Sequence, residues 1–447
     1  MIRSIQVARI GAFIALSATT ALAQQRPPIR QLGTVSAKSS ETFTNVTSVR
    51  ALANGSVLVN DVSGRRVIMF DPTLGKFTVI ADSTSATANA YGGRTGSLIA
   101  YRGDSSIFVD PSSVSMLVID PNGKVARVVA IPRAEDAGAI GGLVGNAAFD
   151  ASGRLVYRAG LRFGFGGGGA RTIVGPGAGG LPQFPEPPDS AFVLRVDLAT
   201  RKLDTVGVIR TPKIKMEVKT DDRGGMNVST LINPLPVVDD WVVTSDGSIA
   251  FVRGKDYHVD FVNPDGTKVT AAKVPFDWQR MTDEDKVAFI DSVKAARERL
   301  GANAPNPVTG APLAGGGGGG TPNVQIFIGP GGPGGGPGGG PGGAAPRPGA
   351  GQPQFNFIPP NELPDYKPPF FVGSLRADTE GNIWVRTIPT AAIAGGPVYD
   401  VINGKGELID RVQIPTGRTI VGFGPKGTVL LVNRDGTTAT LEKATVR

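Results

Sequence analysis

One pattern restricts the fold of this 447-residue chain more than any other: four short β-branched runs joined by Gly, Asn or Asp turns, recurring along almost its whole length. The first copy runs Val46–Leu52, a turn at Asn54-Gly55, Ser56–Asn60, Arg66–Phe70, a turn at Asp71-Pro72-Thr73-Leu74-Gly75, then Phe77–Ala81. Further copies span about 97–132, 145–210, 237–276 and 371–415, each marked by turns such as Asp120-Pro121-Asn122-Gly123, Ser245-Asp246-Gly247 or Asp378-Thr379-Glu380-Gly381. A last copy, Thr419–Phe423, Thr428–Asn433 and Thr438–Lys443, has only three runs. Runs of this kind, bounded by residues that accept the turn's φ angles, are strands. Four strands repeated every 40–45 residues or so are the mark of propeller blades. The sequence therefore predicts an all-β, six-bladed β-propeller of four-stranded antiparallel blades. A spare strand, Arg30–Ser36, precedes the first copy, and pairing it onto Thr438–Lys443 closes the ring without an open sheet edge. Seven blades, with one hidden around 212–236, is the other count.

The N-terminus points to export. Arg3 and Arg9 precede an apolar stretch, Ile10 to Ala23, that ends in Ala21-Leu22-Ala23, a small-x-small cleavage pattern. Residues 1–23 are thus expected to be a signal peptide and 24–447 a single exported domain, periplasmic or secreted, without a transmembrane segment after cleavage. A retained anchor is the competing interpretation, but the stretch falls short of the roughly 20 residues that span a bilayer. Cysteine is absent, which excludes disulfides and thiolate chemistry. The net charge of +8 is not gathered into basic runs, so nucleic acid is not an expected partner.

Glycine (63 residues) and proline (36) concentrate at 163–180 and 301–351, within three insertions at 159–190, 211–236 and 279–368. All three join second to third strands or one blade to the next, so up-and-down topology places them on one face of the disc, where loops on a rigid scaffold build binding sites. In the longest, Thr282 reads as a helix N-cap before Asp283, Glu284 and Asp285, and Phe289, Val293, Ala296 and Leu300 follow at helical spacing up to Gly301. This short helix either lies across the disc or binds a partner. Beyond it, Gly315–Gly343 lacks both the strict collagen period and a phosphate-loop signature, and reads as disordered linker holding one apolar island, Val324–Ile328.

The chemistry is narrowed mostly by exclusion. The single histidine, His258, falls in a third strand, away from a central channel, so histidine-based triads and multi-histidine metal sites are not expected. Oxygen ligands for Ca²⁺ remain open, with Asn60, Asp61, Asp110 and Asn146 as weak candidates at strand ends; no other cofactor is expected. Three second strands end in arginine, at Arg158, Arg253 and Arg386, and their guanidinium groups on the insertion-bearing face suit a carboxylate, a phosphate or an acidic peptide.

The Asp-x-x-Gly-x-Ile/Leu-x-Val/Tyr-Arg pattern of the third and fifth copies, with Asp/Asn-Pro-Asp/Asn-Gly in others, resembles the TolB-like and NHL-type six-bladed propellers of exported bacterial proteins. The resemblance implies a leader peptide and a face that binds a ligand or protein, and it carries over no catalytic residues. The expected function is an exported binding or scaffold propeller that holds a peptide, an anionic small molecule or a partner protein. The alternative is a Ca²⁺-dependent hydrolase or lactonase with its metal in the channel.

Overall fold

The computed structural model describes residues 26–83, 91–92, 96–143, 147–160, 175–176, 182–183, 188–220, 226–300, 356–390, 394–436 and 438–446. The expected leader, the Gly/Pro-rich segment with its apolar island, and Asn146 lie outside them. After β1 (Ile29–Lys38), the chain builds its first sheet from β2 (Val46–Ala51), β3 (Val57–Asp61), β4 (Arg66–Phe70) and β5 (Phe77–Asp82). The second holds β6 (Ser97–Ala100), β7 (Ser106–Asp110), β8 (Ser115–Ile119) and β9 (Val125–Ala130). In the third, β10 (Ala148–Phe149) and β11 (Leu155–Arg158) are separated from β14 (Ser190–Val196) and β15 (Leu203–Arg210) by a small ladder of β12 (Gly175–Pro176) and β13 (Pro182–Gln183). After β16 (Lys215–Thr220) and β17 (Met226–Ile232), the fourth sheet comprises β18 (Asp239–Val243), β19 (Ile249–Arg253), β20 (His258–Val262) and β21 (Lys268–Thr270). Helix α1 (Asp283–Leu300) and β22 (Asn356–Phe357) come next. The chain finishes with β23 (Phe370–Ala377), β24 (Ile383–Thr387), β25 (Val398–Ile402), β26 (Leu408–Gln413), β27 (Arg418–Gly424), β28 (Thr428–Asp435) and β29 (Thr438–Val446). These last seven strands share one eight-stranded sheet with β1, in the order β23-β24-β25-β26-β1-β29-β28-β27. The molecule is all-β with few helices, and its four-stranded antiparallel sheets are arranged as in a propeller.

Repeated turn chemistry explains why each sheet is a simple up-and-down meander. Asp120 Oδ1 accepts the N–H groups of Asn122 and Lys124, both at 2.9 Å, while Gly123 takes φ +84°. Asp150, Asp378 and Asn403 close their turns in the same way. Between neighbouring sheets lie the apolar clusters. Phe108 and Ile119 meet Leu58 and Val67, Tyr157 meets Ile107 and Met116, Phe251 and Trp241 meet Val193, and Phe370 and Leu375 meet Val252 and Val259. Val429 and Leu431 pack on Trp384 and Tyr399, and Leu430 and Leu441 return to Val57 and Phe70 of the first sheet. Second strands are consequently buried on both faces, with every residue of β3 and β7 inaccessible, whereas the fourth strand β21 is exposed throughout.

The N-terminal strand pairs where the sequence places it. β1 runs antiparallel to β29, with Val35 opposite Ala444 and Lys38 opposite Glu442. Its first residues do more than expected: Ile29 to Gln31 also lie parallel to Arg411–Gln413 of β26, secured by an Arg30–Asp410 ion pair (2.7 Å) and a Gln31–Gln413 hydrogen bond (2.7 Å).

The described parts of two insertions fold together. β16 and β17 form a hairpin whose Leu231 and Ile232 pair in parallel with Asn356 and Phe357 of β22. This three-stranded sheet differs from both the loop and the extra blade that 211–236 suggested, because its third strand comes from the far end of the next insertion. Leu235, Met281, Ile290, Ile358 and Leu363 give this cap its own core, which rests on Ile388. Helix α1 starts as expected: Thr282 Oγ1 accepts the Asp285 N–H at 3.2 Å and Asp285 Oδ2 accepts the Thr282 N–H at 2.9 Å. Phe289 faces the core with Ile290, while Val293 and Ala296 are only half-buried. Among the described residues no helix is long and apolar enough to cross a membrane.

Candidate functional site

The end of β19 organises a polar cluster that spans two sheets. Arg253 donates from Nε to Asp260 (2.8 Å) and from Nη1 to Asp239 (3.0 Å) and the Val208 carbonyl (2.8 Å), and its guanidinium lies 5.2 Å from the Phe251 ring centroid. Asp239 also accepts the backbone N–H groups of Arg210 (3.0 Å) and Gly254 (3.2 Å), so one carboxylate ties the end of the third sheet to the β19–β20 turn. His258 Nδ1 lies 2.7 Å from Asp256, its Nε2 lies 3.4 Å from Asp260, and Lys273 reaches Asp256 at 3.6 Å. Burial works against the Asp260 carboxylate, yet hydrogen bonds from Thr270 and Arg253 outweigh it and hold its pKa below the usual range. The result is one connected row of polar side chains, Lys273–Asp256–His258–Asp260–Arg253–Asp239.

Beside this row opens a cavity of about 500 Å³. It is lined by the β19–β20 turn, Gly254 to Asp256, together with Arg210, Val237, Lys273 and Trp278. The segment returning from the cap, a strap from Pro364 to Pro368, also lines it, with Asp365 and Tyr366. The strap is fixed by the Arg280–Tyr366 bridge, by Lys367 N–H to the Gln279 carbonyl (3.0 Å) and by Met281 N–H to the Asp365 carbonyl (2.8 Å). Buried Lys286 donates to Asp365 at 2.7 Å and holds that carboxyl below its usual range. Trp278 packs edge-on against Phe276 at 5.2 Å, and Phe276 against the buried Tyr257 at 5.6 Å, so the indole is braced while 39% of it stays exposed. Tyr366 is 48% exposed. Two aromatic faces and the cations Arg210, Lys255 and Lys273 thus border one opening, which suits a ligand with negative charge and an apolar or stackable face.

The arginines predicted from sequence meet three different environments, and among the described residues no hydrogen-bond or ion-pair partner is shared between them. Arg253 lies beside the cavity with its guanidinium engaged as above. Arg158 is buried at the end of β11, its Nε without a hydrogen-bond partner; burial lowers its pKa, with Asp240 acting in the opposite sense. Arg386 is exposed on β24, opposite Tyr399. Asp240 itself is fully buried, and its carboxyl is pushed up to about 6 by that burial, although the N–H groups of Trp241 and Gly373 counter it.

The weak calcium candidates Asn60, Asp61 and Asp110 do come near one another, around Tyr91, whose hydroxyl is made less acidic by burial and then by Asp110 and Asp61. Each is already engaged. Asn60 donates to the Gly96 carbonyl (2.7 Å) and accepts from Tyr91 (3.0 Å), Asp61 accepts from Gly64 N–H (3.0 Å) and Arg66 (2.9 Å), and Asp110 accepts from Ser112 N–H (3.0 Å) and Ser113 (2.7 Å). Among the described residues no three His, Cys, Asp or Glu gather as a metal site. Sequence reasoning missed Arg210, Lys255, Lys273, Trp278 and Tyr366; the one local signal was Lys255, two places after Arg253.

No known protein family matches the chain, and no curated protein matches it either. Solved structures similar to it include virginiamycin B lyase from Staphylococcus aureus, 10% identical over 90% of this chain and 96% of that one, TM-score 0.36. A gluconolactonase from Xanthomonas campestris is 10% identical over 94% and 99%, TM-score 0.33. Regucalcin, a calcium-binding protein from Agrobacterium tumefaciens, is 11% identical over 94% and 98%, TM-score 0.37. Likeness of this degree says nothing about activity.

Proposed function

We propose that the chain is an exported, six-bladed propeller that binds an anionic ligand on the face bearing its long connections, in the cavity lined by the Pro364–Pro368 strap. The observation that carries this is the cavity itself: about 500 Å³, a volume typical of ligand sites, bordered by three cations and two exposed aromatic rings. Counting six blades treats the eight-stranded sheet as two four-stranded units, β23 to β26 and β1 with β27 to β29, in keeping with the TolB-like or NHL-type pattern of the repeats. Of the two carboxylates in the lining, Asp256 pairs with Lys273 at 3.6 Å and Asp365 with Lys286 at 2.7 Å, which leaves Arg210 and Lys255 to carry the excess positive charge. Arg253 serves this site as the fixed support of the Gly254–Asp256 turn.

Calorimetric titration with trigalacturonate, tetraglutamate and inorganic phosphate tests the proposal. At least one should bind, more weakly at higher salt because the charges are partly solvated. A double variant, Arg210→Gln with Lys255→Gln, should fold normally and bind at least about tenfold more weakly, the effect of losing a charge-assisted contact. Unchanged affinity in that variant, or no binding by any of the three, would contradict it.

A further inference from the structure

The geometry points to a narrower ligand class for this cavity: an acidic carbohydrate, held by stacking of a sugar ring on Trp278 or Tyr366 while its carboxylates face Arg210, Lys255 and Lys273. The inference rests on the proposed binding cavity and adds the identity of what enters it.

Three features favour a sugar over the other anions. Val237 is the one branched aliphatic side chain among the described lining residues, and the other apolar side chains are the rings of Trp278, Tyr366, Pro364 and Pro368, so the apolar surface favours a ring that can stack over a flexible acyl chain. Trp278 is braced from behind by Phe276, which leaves a rigid face for a flat, amphipathic ring. Three backbone N–H groups at or beside the cavity are already paired: Gly254 N–H to Asp239, Met281 N–H to the Asp365 carbonyl, and Lys367 N–H to the Gln279 carbonyl. An extended peptide is commonly held through main-chain pairing with a free strand edge; of the described lining residues Arg210 ends an edge strand, and its N–H is already given to Asp239. What the walls offer is side chains: planar rings, flexible cations, and two charge-compensated carboxylates, Asp256 and Asp365, with lone pairs left to accept from hydroxyls.

The molecule contains its own reporter. Of its three tryptophans, Trp241 is 2% exposed and Trp384 5%, so Trp278, at 39%, is the one a ligand can shield. The experiment titrates the full chain with trigalacturonate, neutral galactotriose and tetraglutamate, following intrinsic fluorescence and its quenching by iodide. Trigalacturonate should bind and protect Trp278 from iodide, and galactotriose should bind at least about tenfold more weakly for want of charge. Trp278→Phe should keep some stacking, Trp278→Ala should lower affinity about tenfold, and Arg210→Gln should lower it without changing the free protein's fluorescence. Tetraglutamate binding with Arg210- and Lys255-dependent affinity while trigalacturonate fails would overturn the carbohydrate class and leave the anion cavity standing. Failure of trigalacturonate, tetraglutamate and inorganic phosphate alike would overturn the cavity as well.

Discussion

Arg253 illustrates how far a side chain's role depends on what the fold brings to it. In the sequence it is one of three strand-ending arginines suited to an anion; in the fold it is ringed by Asp239, Asp260, the Val208 carbonyl and the Phe251 ring. Replacing it with Gln leaves two partly buried carboxylates without their counter-charge, so Arg253→Gln should lower unfolding free energy by about 1–3 kcal/mol, measured by urea denaturation. A loss below roughly 0.5 kcal/mol would fit a solvated surface charge instead. Asp240 makes a second residue-scale prediction. Its carboxyl keeps a proton to about pH 6 instead of the ordinary 3.8, so the folded state binds more protons than the unfolded state between those values. Stability must therefore fall as pH rises through that window, by roughly 3 kcal/mol from this group, and stay reduced above it. Asp240→Asn should flatten the decline in wild-type stability between pH 4 and 7; an identical pH profile in the variant would refute the assignment. At this scale the sequence shows which residues end a strand and which close a turn. Whether a strand-ending arginine is paired depends on Asp239 and Val208, which lie 14 and 45 positions away, and no local spacing reveals that.

At the scale of elements, the strands were legible because each is short, β-branched and bounded by an Asp, Asn or Gly whose turn geometry is local. The same locality made helix α1 readable from Thr282 onward. The cap was not readable, since β17 pairs with β22 across more than a hundred residues and a two-residue strand carries no pattern of its own. The cavity was missed for the same reason: its turn at 254–256 and its strap at 364–368 meet only after α1 and the cap have folded. A turn variant tests the local half of this account. Gly247 has φ +85°, and a methyl group there would run into the Ala151 backbone of the neighbouring sheet. Gly247→Ala should cost at least about 1–2 kcal/mol, combining backbone strain with a steric clash, and a neutral effect on the melting temperature would show that the two sheets are not in register at this point.

For the whole molecule, β1 is the element that decides closure. It completes the strand set beside β29 and, through Ile29 to Gln31, reaches β26 as well, so one strand joins the chain's last seven strands into a single sheet. Deleting residues 24–38 should strip a ten-residue strand from that seam and lower stability by several kcal/mol, whereas an unchanged melting temperature would mean the seam holds without it. With the seam closed, the connections after β15, β19 and β21 come to one face, and the strap lines the cavity beside them. Amide hydrogen exchange, with and without whichever of trigalacturonate or tetraglutamate binds more tightly, tests this arrangement most directly. The account predicts ligand-dependent protection in the segments 253–257, 273–280 and 364–368 together. Protection at the ends of β11 and β24 instead, around Arg158 and Arg386, would contradict it and return the site to the strand-ending arginines.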